Sequence, residues 1–179
     1  MFQLYRRIVI GILLCVAGHS AAQAEMLQFS TPDGMKSWPK LNDPADWHQD
    51  QESSLRLNAN SLIPDGVDPA NAEVTIQARG FSRINNSLSQ MVEKDRAAAP
   101  AGTQVKQLPD VADKDGTPFN LYSFAPPGGA AGSWKAVAYS EEGDILLAFT
   151  LNARTHAAYE SNFPVFVGVV QKYAKDIPW

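Results

Sequence analysis

The sequence predicts an α+β domain in which an antiparallel β-sheet is flanked by helices, as an α/β/α sandwich. Segments with period-two alternation outnumber segments with helical period, and short turn signals join most neighbouring strands, which is typical of antiparallel pairing. The chain is 45% hydrophobic and 19% charged, a composition that excludes a disordered chain. We expect the order β-β-β-α-β-β-β-β-α in a single domain that spans residues 25–179.

Residues 1–24 have the three parts of a secretory signal peptide. Met1–Arg7 is short and basic, Ile8–Ala17 is an unbroken apolar run, and Ala22-Gln23-Ala24 is an A-x-A cleavage site. The apolar run is shorter than the roughly 20 residues that a membrane-spanning helix needs. We therefore expect a Sec-type signal peptide cleaved after Ala24, and a periplasmic or secreted protein without a membrane span.

The chain contains one cysteine, Cys15, and it lies inside the predicted signal peptide. Cleavage after Ala24 leaves a mature chain without cysteine, which excludes disulfides, thiol catalysis and zinc–thiolate sites. The alternative is a lipoprotein anchored through Cys15. Leu14 disfavours it, because a lipobox has a small residue at that position.

The first half of the domain is predicted to contain three strands. Leu27–Ser30 is the first, and Glu73–Phe81 is the third, with apolar and polar residues in alternation. Ser54–Asn58 also alternates and is predicted to be the second strand. Thr31–Trp47 is rich in turn residues, so we expect a loop there.

Two helices are predicted. Ser87 and Gln90 fit a capping box, and the helix that they begin should end near Ala98, before Pro100 and Gly102. The second helix closes the chain. We expect Asn162 to cap it and Pro164 to lie in its first turn, and its apolar positions at helical spacing are Phe163, Phe166, Val167, Val170 and Ala174.

The second half resembles a meander of four strands. Residues 126–132 are a loop rich in Pro and Gly, and Glu141–Asp144 is a hairpin turn by composition. Ile145–Phe149 is apolar on both alternating faces, so we expect this strand to be covered on both sides. The predicted strands are Val105–Leu108, Phe119–Phe124, Trp134–Ser140 and Ile145–Asn152.

Several classes of function are disfavoured by charge and motif. The net charge is −4 and no basic run occurs, which argues against nucleic acid and against anionic lipid as partners. The chain has no G-x-S-x-G, no H-E-x-x-H and no phosphate-binding glycine motif. We therefore predict a non-catalytic protein without a cofactor. A hydrolase that uses carboxylates distant in sequence stays open.

Two groups of residues suggest cation binding only weakly. Asp110, Asp113 and Asp115 could hold a cation loosely, but their spacing does not fit an EF-hand, and a solvated turn is the default interpretation. His156 and Glu160 are four residues apart and would share one helical face. Two ligands make half a metal site, and a surface His–Glu contact is the alternative, so we predict no metal site.

Trp38 and Trp47 lie in predicted loops, where Trp is favoured either by burial or by use in an interface. We predict a partner-contact surface made of Trp38, Trp47 and the loop residues Gly128 and Gly129. The alternative is that both tryptophans pack as a lid over the core. A set of aromatic residues on the predicted strands could also line an apolar cavity between the sheet and the C-terminal helix, or form core: Tyr122, Phe124, Trp134, Tyr139 and Phe149.

The second half also resembles a known family. The segment Asp115–Phe119, Tyr122, the hairpin that ends at Ile145–Leu151, Tyr159 and the helix Phe163–Tyr173 together resemble the PsbP-like superfamily. That superfamily includes the extrinsic PsbP subunit of photosystem II and the Ran-binding Mog-type import factor. The resemblance covers about Leu27 to Ala174, but the Thr31–Trp47 segment is longer than in the family.

The resemblance implies an α/β/α sandwich and a mainly non-enzymatic role as an accessory subunit or protein-binding module. No functional residue of the family is matched here residue by residue. We therefore predict an exported, non-catalytic accessory or protein-interaction domain with a protein partner. The alternative is a periplasmic binding protein for a small apolar ligand or lipid, held between the sheet and the C-terminal helix.

Overall fold

The computed structural model describes residues 23–24, 26–31, 34–129 and 133–176. The predicted signal peptide lies outside these residues except for its last two positions. The described part of the chain forms twelve strands, three α-helices and a 3-10 turn at Pro127–Gly129. In chain order the elements are β1 (Gln23–Ala24), β2 (Met26–Thr31), β3 (Gly34–Pro39), β4 (Trp47–Gln49), α1 (Gln51–Leu57), β5 (Asn60–Pro64), β6 (Val74–Ser82), α2 (Leu88–Ala98), β7 (Gln104–Gln107), β8 (Val111–Ala112), β9 (Pro118–Ala125), β10 (Trp134–Glu142), β11 (Ile145–Ala153), α3 (His156–Lys172) and β12 (Lys175–Asp176).

Strands β4 to β11 form one eight-stranded sheet in which every pairing is antiparallel. The strand order is β4-β5-β6-β11-β10-β9-β7, and the short β8 also pairs with β9. Two antiparallel ribbons, β2 with β3 and β1 with β12, lie apart from this sheet. The predicted fold class, an antiparallel sheet flanked by helices, is confirmed. Within the described residues, no helix is long and apolar enough to cross a membrane.

The β10–β11 hairpin forms the centre of the sheet. Glu142 pairs with Ile145, and Gly143 in the turn has a φ of 55°, which glycine adopts without strain. Leu146 and Phe149 point to opposite faces of β11, yet both are fully buried. The prediction that this strand is covered on both sides is therefore confirmed.

The larger core lies between α3 and one face of the sheet. Three rings meet at its centre, with centroids 5.1 Å apart for Phe119 and Phe149 and 4.9 Å apart for Phe149 and Tyr173. The last two meet edge to face, the arrangement that aromatic pairs favour. Phe166 of α3 is fully buried in the same core.

α2 covers part of the opposite face of the sheet with a smaller core. Val92 of α2 packs there with Val137 and Tyr139. The predicted capping box is present, because Ser87 Oγ accepts from the Gln90 amide at 3.3 Å and Gln90 Oε1 accepts from the Ser87 amide at 2.8 Å. The predicted boundaries of this helix are confirmed at both ends.

The predicted strand Ser54–Asn58 is wrong, because this segment forms the C-terminal part of α1. Asp50 caps the helix by accepting from the Ser53 amide, and Asn58 ends it in the left-handed region with a φ of 50°. The helix buries Ser53 and Ser54 while Leu55 is 42% exposed. An alternation over five residues is too short to separate a strand from one and a half helical turns.

The predicted start of the closing helix is also wrong. α3 begins at His156, where Thr155 Oγ1 accepts from the Ala158 amide at 3.1 Å. Asn162 is inside the helix, and its side chain donates back to the Ala158 carbonyl at 2.8 Å. Pro164 therefore lies in the middle of α3, where its missing N–H leaves the carbonyl four residues earlier without its usual donor.

The expected loop Thr31–Trp47 contains a strand that the sequence analysis missed. β3 pairs with β2 from Thr31 opposite Gly34 to Met26 opposite Pro39, and Trp47 begins β4. Cross-strand pairing therefore overrides the turn residues within this segment. The structure thus has four strands, β1 to β4, before α1, where the sequence predicts only Leu27–Ser30.

Candidate functional site

Both tryptophans of the predicted contact surface are buried. Trp47 is 7% exposed and belongs to the core beneath α3, and Trp38 is 4% exposed on β3. The packing alternative therefore describes the position of both rings in this structure. A partner would have to draw them out of the domain in order to touch them. Their use as a contact surface stays a prediction.

The strand aromatics are divided between the two faces of the sheet and do not all line one cavity. Phe149 and Trp134 lie on the α3 side, where Phe149 is core and Trp134 is half-buried. The other three, Tyr122, Phe124 and Tyr139, belong to the cluster under α2. Of this set, only Trp134 lies on the α3 side and still reaches solvent.

Trp134 lines an open groove between α3 and the strands β7, β9 and β10, which we call the aromatic groove. Its volume is about 500 Å³, within the range of small-ligand and peptide sites. Most of the lining is apolar. The residues that line it are Lys106, Leu108, Ser123, Phe124, Ala125, Trp134, Tyr159, Glu160, Phe163 and Pro164.

A row of half-buried rings forms one side of the groove. The centroids of Trp134 and Tyr159 are 6.0 Å apart, and those of Tyr159 and Phe163 are 5.6 Å apart. Phe163 lies 6.5 Å from the ring of Phe166, which is fully buried. At the other end, His156 lies against Trp134 at 4.1 Å. The row is therefore anchored to the core through Phe166. Its three rings are packed against their neighbours and are still partly accessible to a ligand.

The polar groups of the groove are few and lie at its edges. Lys106 on β7 and Glu160 on α3 are exposed charges of opposite sign. Burial raises the pKa of the Tyr159 hydroxyl to about 12, so it is a neutral donor at physiological pH. Because Pro164 has no N–H, the Glu160 carbonyl lacks its i+4 donor. The groove thus offers an apolar surface with a hydroxyl donor and two charges of opposite sign beside it.

β7 lies at one end of the strand order, and among the described residues its only strand partner is β9. Its outer backbone groups are therefore an edge next to the groove. Edge strands of this kind accept an extended segment of another chain through main-chain hydrogen bonds. Lys106, in the middle of β7, lines the groove, so the edge and the apolar surface are adjacent.

The loop that carries Gly128 and Gly129 leaves the sheet at the groove. Ala125 ends β9 and Trp134 begins β10, and both line the groove. Gly128 is exposed and has a φ of 66°, which disfavours other residues there. This half of the predicted contact surface therefore lies beside the groove, and its use in binding stays a prediction.

Three of the residues proposed for cations, Asp113, His156 and Glu160, have other partners. Asp113 is buried, and its Oδ1 accepts from the amides of Asp115 at 2.9 Å and Thr117 at 2.7 Å, which organises the turn. His156 Nε2 lies 3.4 Å from Glu160 Oε1 on the exposed face of α3. No group of three or more metal-binding side chains is assembled in the described ranges of the chain.

No family model matches the chain, and no curated protein matches it. Solved structures of similar fold include cyanobacterial PsbP from Synechocystis sp. PCC 6803, at 12% identity, 89% coverage of this chain, 96% coverage of that chain and a TM-score of 0.45. Protein PA94 of Pseudomonas aeruginosa, of unknown function, has 14% identity, coverages of 87% and 100%, and a TM-score of 0.49. The Ran-binding protein Mog1p of Saccharomyces cerevisiae has 14% identity, coverages of 80% and 85%, and a TM-score of 0.43.

The resemblance to PsbP-like and Mog-type proteins that the sequence predicts is confirmed as a resemblance of fold. At these identities and TM-scores it says nothing about what this chain binds. The case for a function rests on the groove itself.

Proposed function

We propose that this protein is an exported, non-catalytic interaction domain that binds a segment of a partner protein in the aromatic groove. The observation that carries the proposal is the row Trp134–Tyr159–Phe163, which is open to solvent and anchored in the core. Trp and Tyr are the residues most enriched at the centres of protein interfaces. Rings already held in place lose little conformational freedom on binding, which favours affinity.

The groove favours a particular kind of partner segment. An extended segment beside β7 could add a strand through its backbone, and its alternate side chains would face the apolar floor. An acidic residue near Lys106 and a basic residue near Glu160 would match the charges at the two edges. Leu108 and Phe163 would then contact apolar side chains of the segment.

The test is capture of the partner on immobilised protein, with two matched variants. Tyr159→Ser removes the middle ring of the groove, and Tyr122→Ser removes a half-buried strand ring on the opposite face. We expect Tyr159→Ser to weaken partner binding at least about tenfold, as for an interface hot spot, and Tyr122→Ser to leave it unchanged. Melting curves of both variants establish that each is folded. Equal retention by both variants, or equal loss, would contradict the proposal.

A small apolar ligand or lipid in the same groove is the second candidate. Its support is the mostly apolar lining between the sheet and α3. Native mass spectrometry of the purified protein distinguishes the two candidates. A bound small molecule that disappears in Tyr159→Ser would favour the ligand, whereas a bare protein that captures a partner would favour the interaction domain.

Export is part of the proposal and rests on residues 1–24 of the sequence. The proposed mature domain is residues 25–179, in the periplasm or outside the cell. Intact-mass measurement of the protein isolated from a periplasmic fraction tests it. We expect the mass of a chain that begins at Glu25, and a full-length mass in the cytoplasmic fraction alone would contradict export.

A further inference from the structure

The second cleft of interest lies on the opposite face of the sheet, between α2 and the strands β6 and β11. It has a volume of about 370 Å³, and we call it the basic cleft. Arg79 and Thr150 form its floor, and Lys94, Asp95 and Met91 of α2 form its wall. None of these residues lines the aromatic groove, so the two sites are independent.

The one carboxylate of the basic cleft is already engaged. Asp95 Oδ2 accepts from the Tyr139 hydroxyl at 2.5 Å and lies 3.9 Å from Lys135 Nζ. The other acid of α2, Glu93, pairs with Arg96 at 3.1 Å. Both negative charges of the helix are therefore balanced by cations that do not line the cleft.

Two positive charges in the cleft are left without a carboxylate partner among the described residues. Arg79 donates to the Leu57 carbonyl at 2.9 Å, a neutral acceptor that fixes the guanidinium without cancelling its charge. Lys94 is exposed and makes no ion pair in the described part of the chain. The pKa of Lys135 is lowered, first by burial, with Asp95 acting in the opposite direction and Arg79 adding to the decrease. The positive charge of Arg79 therefore acts as far as Lys135, the residue that lies beside Asp95.

We propose that the basic cleft binds a small organic anion whose carboxylate or phosphate group lies between Arg79 and Lys94. Cations gathered in a cleft with low-dielectric walls attract anions more strongly than the same charges spread over a surface, and this chain is net negative elsewhere. Thr150 supplies a hydroxyl for a further hydrogen bond, and Met91 and Phe81 supply an apolar surface for the body of the ligand.

The position of one cation supports a binding site rather than two unrelated surface charges, because this cation is fixed before any anion binds. Arg79 is held by its bond to Leu57, so little side-chain entropy is lost when an anion binds. A guanidinium presents paired donors to a carboxylate or a phosphate, and an ammonium adds a point charge. The two anion classes share this chemistry, so the experiment has to separate them.

The experiment is an NMR titration of the purified protein with sodium phosphate and, separately, with sodium succinate, at ionic strength held constant with sodium chloride. We expect saturable shifts of the Lys94 and Thr150 amides with at least one of the two anions. Lys94→Gln should weaken that binding roughly tenfold or more, as for loss of a charge-assisted hydrogen bond. Lys114→Gln, which removes an exposed lysine outside the cleft, should leave it unchanged.

Each outcome decides the inference. Saturation by phosphate alone supports a ligand that carries a phosphate group, saturation by succinate alone supports a carboxylate, and saturation by both supports an anion site that accepts either group. Shifts no larger than those in chloride, or equal loss of binding in Lys94→Gln and Lys114→Gln, would overturn the inference. Because the titration needs no protein partner, its failure would leave the proposal for the aromatic groove untouched.

Discussion

The ring centroids of Trp134 and Tyr159 lie 6.0 Å apart, although one residue begins β10 and the other is in the first turn of α3. This contact joins the start of β10 to α3 and forms part of the row of rings in the aromatic groove. The groove also includes Lys106 of β7, the last strand in the sheet order, which pairs only with β9 among the described strands.

Trp47→Ala should destabilise the domain strongly, because the ring is 7% exposed and belongs to the main core. We expect a loss of about 3–5 kcal/mol in the free energy of unfolding, as for large-to-small core substitutions. Urea denaturation measures it. Ile84→Ala, at a side chain that is 77% exposed, should change stability by less than about 0.5 kcal/mol. A Trp47→Ala variant that keeps its stability but loses its partner would instead support the contact surface predicted from the sequence.

Thr155→Ala should destabilise α3, because the Thr155 side chain caps the first turn. Loss of such a cap costs about 1 kcal/mol. Asn162→Ala should cost less, since Asn162 only adds a side-chain bond inside a formed helix. Thermal melts of the two variants distinguish a helix capped by Thr155 from the helix capped by Asn162 that the sequence predicts. A larger decrease in melting temperature for Asn162→Ala than for Thr155→Ala would contradict the start at His156.

Tyr139→Phe should lower stability by about 1.5 kcal/mol, because it removes a buried hydrogen bond to a carboxylate. Asp95 would retain only its more distant interaction with Lys135. Tyr122→Phe is a matched control, since the Tyr122 hydroxyl has no hydrogen-bond partner among the described residues. Equal stability of the two variants in urea denaturation would contradict the Tyr139–Asp95 bond.

The stability of the protein should fall as the pH rises from about 10 towards 12. Burial raises the pKa of Tyr159 in the folded state to about 12, whereas the unfolded value is about 10. In that window the unfolded chain releases a proton that the folded chain retains, so unfolding becomes more favourable. The decrease should be smaller for Tyr159→Phe, measured by urea denaturation at each pH. All other titrating groups are shared by the two proteins, so parallel curves would show that Tyr159 titrates normally.

The parts of the fold that depend on local chemistry could be predicted from the sequence. The Ser87–Gln90 capping box identified α2, and the two-sided apolar pattern of Ile145–Phe149 identified a central strand. Each signal lies within a few residues and expresses one physical requirement, either a satisfied helix terminus or a strand buried on both faces. The predicted strand Ser54–Asn58 was wrong because its alternation covers only five residues. These residues continue a helix that the Asp50 side chain caps.

The groove could be predicted only in part. Tyr159 and Phe163 are four residues apart, so their common helical face follows from the sequence. Their contact with Trp134 depends on how α3 lies across the sheet, and the place of Lys106 depends on the β7–β9 register. The burial of Trp38 and Trp47 could not be predicted either. A tryptophan in a segment rich in turn residues is compatible both with packing in the core and with exposure at an interface.

Site-specific photocrosslinking in the source organism is the sharpest test of whether a partner protein binds in the aromatic groove. A benzophenone amino acid replaces Glu160 or Lys106 at the edges of the groove, or Glu52 on α1 as an exposed control outside the groove. We expect both groove positions to give an adduct with the same partner protein and position 52 to give none. Adducts that form at position 52 but not at the groove, or no adduct at either groove position while the partner still co-purifies, would contradict it.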